Sequence, residues 1–272
     1  MNTNDVLGMQ STSSHTAPND RIAKGANIDT IIQSIAEFYG IGEVINYSEI
    51  CVGYEDCNVI IQTVSNKYVA KLFARTRTAK DIDRYVEIMR LMTQAGVRHP
   101  GLIAGGNGEC VLHEAGVWVV LADFIEGKTF YDMDRVPTAD ERRMVIAEVV
   151  KINALDHRPA HKESSWAASK FYTMLNRVRP YLSAHELAMV EDVAERYDQI
   201  PFDRFECALT HGDLRATNLL VTPDGALYVL DYFLANFSSK LQELAVMIAS
   251  LLYDATGAMS LRQLCDVVAD EY

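Results

Sequence analysis

Apolar residues recur three and four apart at Ile31, Ile32, Ile35 and Phe38. This spacing places them on one face of a helix that runs to about Tyr39, with Asn27 or Asp29 as its cap. The period then changes to that of strands, at 44–51, 58–64 and 68–73. Ser65-Asn66 reads as the hairpin turn between the last two. Residues 79–95 return to helical spacing, with Ile82, Tyr85, Val86, Met89 and Met92 on one face. Two more strands follow, 109–115 and 117–124, turning at Gly116. This half of the chain reads as an antiparallel sheet with one inserted helix.

After Glu126-Gly127 the helical period dominates, at about 138–155, 164–180, 183–198, 237–254 and 260–272. One strand-rich island interrupts it. Leu219–Thr222 and Ala226–Leu230 read as two short strands around Pro223-Asp224-Gly225, a strong turn signal. The pattern divides the chain into a Ser-, Thr- and Asn-rich tail at 1–26, expected to be disordered, a lobe at 27–127 and a mostly helical lobe at 128–272. The fold class is α+β.

The island also holds the chemistry. Asn218 follows Asp213 by five residues, and Asp231 follows Asn218 by thirteen. The loop before the first strand and the residue after the second lie at the same open end of a hairpin, so the three polar groups can converge. Carboxylate and carboxamide oxygens suit Mg²⁺, and a second carboxylate can accept a proton from a substrate hydroxyl. Metal ligands beside a base form the constellation of phosphoryl transfer. Lys71, set in the apolar strand YVAKLF, needs a partner. The loop before it, 52–61, holds one glycine, and its Glu55 and Asp56 are poor neighbours for phosphate.

Composition narrows the partners. The 272 residues carry a formal net charge of −12, which disfavours nucleic acid and suits a cationic small substrate. Five dispersed cysteines, without a CxxC pair, fit a reducing cytoplasm rather than a zinc site. No apolar run reaches the ~18–20 residues of a membrane helix. His157 and His161 flank an Arg-Pro step that breaks the helix, and they read as loop residues. Trp166, Phe171 and Tyr172 read as packing.

The segment HGDLRATN, followed by LDYF, resembles the aminoglycoside phosphotransferase and homoserine/choline kinase-like superfamily, which has a two-lobed protein-kinase-like fold. The likeness covers roughly residues 40–255. It implies an ATP- and Mg²⁺-dependent kinase of a small hydroxyl-bearing molecule: an amino alcohol, a homoserine-like compound, a sugar or an aminoglycoside. By the same resemblance Asp213 is the catalytic base, Asn218 and Asp231 hold Mg²⁺, and His211 supports the loop. Lys71 binds the α- and β-phosphates, Asn58 lies in the loop over them, and the backbone of Asp123, Phe124 and Ile125 meets the adenine. Glu87 is the expected carboxylate for Lys71, with Asp81 and Asp83 competing and Tyr85 a claimant to its slot. Glu243 falls where the family carries an Asp that buttresses the catalytic loop.

Gly212, where protein kinases carry Arg, and DYF in place of DFG speak against a protein kinase. Members of the superfamily continue well past the metal Asp, whereas about forty residues follow Asp231 here. The acceptor site is thus the least specified part, and a nucleotide-binding pseudokinase or a truncated inactive member is the alternative.

Overall fold

The computed structural model describes residues 22, 27–50, 55–161, 170–257 and 259–272. The expected tail at 1–26 (save Ile22), the start of the 52–61 loop, Trp166 and the start of the 164–180 helix lie outside them. The chain forms two compact units. One lies within Met1–Ile82 and Leu102–Phe124, and the other comprises Asp83–Gly101 and Ile125–Tyr272.

The first unit opens with α1 (Ile28–Tyr39). Asn27 caps it by accepting the Asp29 and Thr30 N–H groups, and Gly40 ends it in the left-handed region at φ 63°. Its buried face is Ile31, Ile32, Ile35 and Tyr39, so Tyr39 rather than Phe38 takes the deepest place in the last turn. The Tyr39 hydroxyl reaches the carbonyls of Cys110 (3.0 Å) and Val119 (3.2 Å), which satisfies it inside the core.

Five antiparallel strands follow: β1 (Val44–Ile50), β2 (Cys57–Thr63), β3 (Lys67–Leu72), β4 (Val111–Glu114) and β5 (Val117–Asp123). Their spatial order is β1-β2-β3-β5-β4. In β2, Cys57, Val59, Ile61 and Thr63 are buried and alternate with half-exposed neighbours, the period-two pattern of a sheet with one face covered. Val59, Ile61, Ala70, Leu72, Val119 and Leu121 pack with α1 in one apolar core. The division between the units falls inside α2 (Ala79–Gln94), after Ile82.

In the second unit the two-residue strand β6 (Lys128–Thr129) pairs with β8 (Leu219–Val221), which pairs with β9 (Leu227–Val229). The helices are α3 (Ala139–Asn153), α4 (Phe171–Val178), α5 (Ala184–Tyr197), α6 (Lys240–Met247) and α7 (Leu261–Glu271). Thr138 with Glu141, Ser183 with Glu186 and Ser260 with Gln263 form capping boxes at α3, α5 and α7. The expected helix at 237–254 starts later than its periodicity suggests. Residues Asn236–Ser239 are a strand, β10, paired with β7 (Cys207–Thr210). Ser239 then caps α6, and a π-helical turn continues it over Ile248–Leu252. Strand pairing here overrides local helical period, the usual way tertiary context defeats propensity. Phe171 and Tyr172 pack as expected, with the Tyr197 ring 4.8 and 5.6 Å from theirs.

Candidate active site

In the first unit, Lys71 sits on β3 directly opposite Asn58 on β2 and Val120 on β5. Directly paired residues share a sheet face, so Asn58 and Lys71 are neighbours by register. The Lys71 side chain is 8% exposed, and its ammonium lies 3.5 Å from the Asp56 carboxylate. Asp56 also accepts the Ala74 N–H (3.0 Å) and the Arg77 Nε–H (3.2 Å). Glu55 pairs with the same Arg77. Burial works against the Arg77 cation, yet Asp56 and Glu55 outweigh it and hold its pKa above the ordinary value. Thus the two acids of the 52–61 loop, expected as poor neighbours for phosphate, serve as counter-ions for Lys71 and Arg77.

Asp123 ends β5 opposite Tyr68, and the Phe124 ring lies 5.3 Å below the Lys67 ammonium. The chain passes to the second unit at Ile125. Glu87, expected at Lys71, pairs with His157 at 3.3 Å. His161 lies 3.4 Å from the Asn236 amide, so the two histidines have separate partners.

In the second unit, β7 delivers the loop that begins at His211. The His211 N–H and Gly212 N–H both donate to Glu243 Oε1, at 2.5 and 3.1 Å. The other Glu243 oxygen accepts from Asn153 Nδ2 at 3.0 Å. Asn153 in turn donates to the Leu209 carbonyl (2.8 Å) and accepts the Tyr272 hydroxyl (2.8 Å). Burial drives the Glu243 pKa up to about 7, opposed by these three N–H donors. Gly212 adopts φ 79°, and a Cβ there would stand 2.5 Å from the Leu234 carbonyl oxygen. Only glycine meets both demands without strain.

The His211 ring is wholly buried and spans two segments. Its Nδ1 accepts the Asp213 N–H (3.1 Å), which leaves Nε2 as the donor to the Leu230 carbonyl (2.8 Å). Burial lowers its pKa, consistent with that neutral tautomer. Asp213 is gripped from two sides. Asn218 Nδ2 donates to its Oδ2 (2.8 Å) and its carbonyl (2.9 Å). The Arg215 guanidinium forks onto both carboxylate oxygens, at 2.6 and 3.0 Å. Arg215 and Asn153 carried no signal in the spacing. Arg215 lies two residues from Asp213, where a loop could have turned it either way, and Asn153 is fifty-six residues from its Leu209 partner.

Asp231 follows β9 in the left-handed region at φ 57°, and its carboxylate caps the turn Tyr232–Leu234 through the Phe233 N–H. That backbone is costly for a residue with a side chain and is found disproportionately at functional sites. The Leu230 N–H donates to the Asn218 carbonyl at 2.8 Å, tying the Asp231 turn to the Asn218 turn. The structure therefore joins Asp213, Asn218 and the backbone beside Asp231 through one set of hydrogen bonds. With the Asn218 amide hydrogens turned toward Asp213, its Oδ1, which accepts the Thr217 hydroxyl at 3.4 Å, and the Asp231 carboxylate are hard oxygen donors of the kind that could hold a divalent cation.

Residues 47–268 match the model of the phosphotransferase enzyme family. A homoserine kinase of Nitrobacter winogradskyi is 22% identical over 243 residues, 85% of this chain and 72% of that protein. One of Nitrobacter hamburgensis is 21% identical over 214 residues, 76% of this chain and 64% of that protein. The chain thus spans about two thirds of the length of these relatives. Among solved structures, an amicoumacin kinase in complex with AMP-PNP and Ca²⁺ aligns with a TM-score of 0.65 at 10% identity, over 90% of this chain and 77% of that one. The choline kinase LicA from Streptococcus pneumoniae aligns at 0.63 and 13%, over 91% and 80%. These likenesses establish a protein-kinase-like phosphotransferase fold, and the family match spans both the Lys71 strand and the Asp213–Asp231 segment. The chain belongs to the phosphotransferase enzyme family.

Proposed function

We propose that the chain is a kinase that moves the γ-phosphoryl group of ATP to a hydroxyl of a small molecule. The observation that carries this reading is the Asp213 carboxylate, fixed by Asn218 and Arg215 in one hydrogen-bonded frame with the turn that bears Asp231. In the proposed reaction the acceptor oxygen forms a bond to phosphorus as the bond to the β–γ bridging oxygen breaks. Asp213 takes the hydroxyl proton, a contribution of about 10²–10⁴-fold for a well-placed base. Asn218 and Asp231 would hold Mg²⁺, which when bound screens the phosphate charge. Lys71, held by Asp56, would pair with the α- and β-phosphates. Asn58 would stand beside it, and the backbone of Asp123, Phe124 and Ile125 would face the adenine. Asp56, 3.5 Å from the Lys71 ammonium, is the carboxylate we propose for Lys71, and Glu87 lies beside His157.

For the acceptor we propose an amino alcohol, with homoserine-like compounds first. Homoserine kinases are among the matching relatives. The structural neighbours include a choline kinase and an aminopropanol kinase, whose named substrates also pair a hydroxyl with a nitrogen centre. A net charge of −12 favours such cationic groups. The proposed place of action is the cytoplasm. No helix among the described residues is long and apolar enough to cross a membrane.

Thermal unfolding with and without Mg–ATP tests the nucleotide and metal roles. A ligand at a hundred times its Kd stabilises by about 2.7 kcal/mol. The wild type is expected to gain a Tm shift that needs both Mg²⁺ and ATP, and Asp231→Ala is expected to lose it. A folded wild type that millimolar Mg–ATP leaves unshifted contradicts the reading.

A further inference from the structure

Arg84 lies on α2 among the apolar residues of its inner face, and it is 6% exposed. A guanidinium taken that far from water needs acceptors for its planar set of N–H donors. Among the described residues, backbone carbonyls of three accept from it. Nε donates to Ala160 (2.7 Å), one terminal nitrogen to Phe233 (3.2 Å) and the other to Ala235. Phe233 and Ala235 lie in and just after the turn that Asp231 caps, and the Phe233 N–H is the group that the Asp231 carboxylate accepts. The same short turn is therefore held from both ends. Asp231 grips its N–H side, and Arg84 grips its carbonyl side. The Tyr85 and Phe233 rings, 6.4 Å apart, pack next to this contact.

We propose that Arg84 is a positioning residue for the Asp231 carboxylate: its fork fixes the Phe233–Ala235 carbonyls, so the left-handed Asp231 keeps its oxygens directed toward a divalent cation. This rests on the proposed function, because it takes Asp231 as a metal ligand. The physical case is the cost of the Asp231 conformation. Positive φ is uncommon for a residue with a side chain, aspartate being among the more tolerant, and at a functional site it persists where surrounding contacts over-determine it. Arg84 supplies two of those contacts from a helix rather than from a loop. A lysine at the same place offers a point charge on a flexible stem and cannot span both carbonyls as a planar fork.

The test is Mn²⁺ affinity in the presence of a non-hydrolysable ATP analogue, read by electron paramagnetic resonance, beside nucleotide affinity in EDTA. Wild type, Asp231→Ala, Arg84→Met and Arg84→Lys are compared. Groups that support metal ligands typically contribute 10–100-fold in metal affinity. Arg84→Met is expected to weaken Mn²⁺ binding by roughly that 10–100-fold, with Arg84→Lys between it and the wild type. Metal-free nucleotide affinity should stay unchanged in both, a split that general loosening of the fold does not give. Wild-type Mn²⁺ affinity in a folded Arg84→Met overturns the proposal. If that variant does not fold, wild-type affinity in Arg84→Lys overturns it, and failure of both to fold makes Arg84 a residue of the fold alone and also overturns it. If the wild type itself binds no Mn²⁺ with the nucleotide, or Asp231→Ala binds it as well as the wild type, the fault lies in the proposed function instead.

Discussion

Glu243 is a buried carboxylate whose two oxygens receive three N–H groups, from His211, Gly212 and Asn153. It stands where the family resemblance places an aspartate, and its extra methylene still lets it reach the His211-Gly212 backbone. Its raised pKa, about 7, sets the sign of a pH dependence. Folding holds a proton here that the unfolded chain releases at its ordinary value near 4.5. The associated stability is therefore present below about 4.5 and is lost as pH rises through about 7. Glu243→Gln has no such titration, and its amide would turn a donor toward the Asn153 amide, at a cost of about 1–3 kcal/mol. Urea midpoints should show the wild-type advantage over this variant shrinking between pH 5 and pH 8. Parallel profiles for the two proteins would refute the assignment. At this scale the sequence singled out Asp213, Asn218, Asp231 and Lys71, because an ionisable or amide group in an apolar stretch stands out, and the structure joins Asp213 to Asn218 and Asn218 to the backbone beside Asp231. It concealed Asp56, whose usefulness depends on Arg77 twenty-one residues away.

At the scale of elements, the β8–β9 hairpin sets the frame. Its Pro-Asp-Gly turn is closed by the Thr222 N–H on the Ala226 carbonyl at 2.9 Å, and its register pairs Leu219 with Val229. That register fixes how the 211–218 loop meets the Asp231 turn. The hairpin was legible because its turn chemistry is local. The strand β10 was not, since its pairing with β7 reaches back twenty-six residues and more while its own residues blend into the helical period that follows. The loop itself depends on Gly212, at φ 79° and against the Leu234 carbonyl. Gly212→Ala is expected to destabilise by roughly 1–3 kcal/mol from backbone conformation alone, with the Leu234 contact adding to it. Chemical denaturation measures this directly, and an unchanged midpoint would show that the loop can relax around a methyl group.

For the whole molecule, the pattern of periods was enough to separate a sheet-rich half from a helix-rich half, and both occur. It could not reveal that Asp83–Gly101 clusters with the later half, because such contacts connect residues far apart in sequence. The Arg98 carbonyl accepting the Val229 N–H is one of them. The family match reaches from residue 47 to 268, so the Lys71 strand, the Asp213 loop and the Asp231 turn all fall within it. The proposed reaction comes down to one group, the Asp213 carboxylate, held by Asn218 and Arg215. The most direct measurement is phosphoryl transfer from ATP with Mg²⁺ to a panel of homoserine, choline, ethanolamine and aminoglycosides, for wild type and Asp213→Asn. The account predicts product with at least one amino alcohol, and a loss of about 10²–10⁴-fold in kcat for the variant with nucleotide affinity retained. Equal turnover by a folded Asp213→Asn, or no transfer to any acceptor by a wild type that binds Mg–ATP, would contradict it.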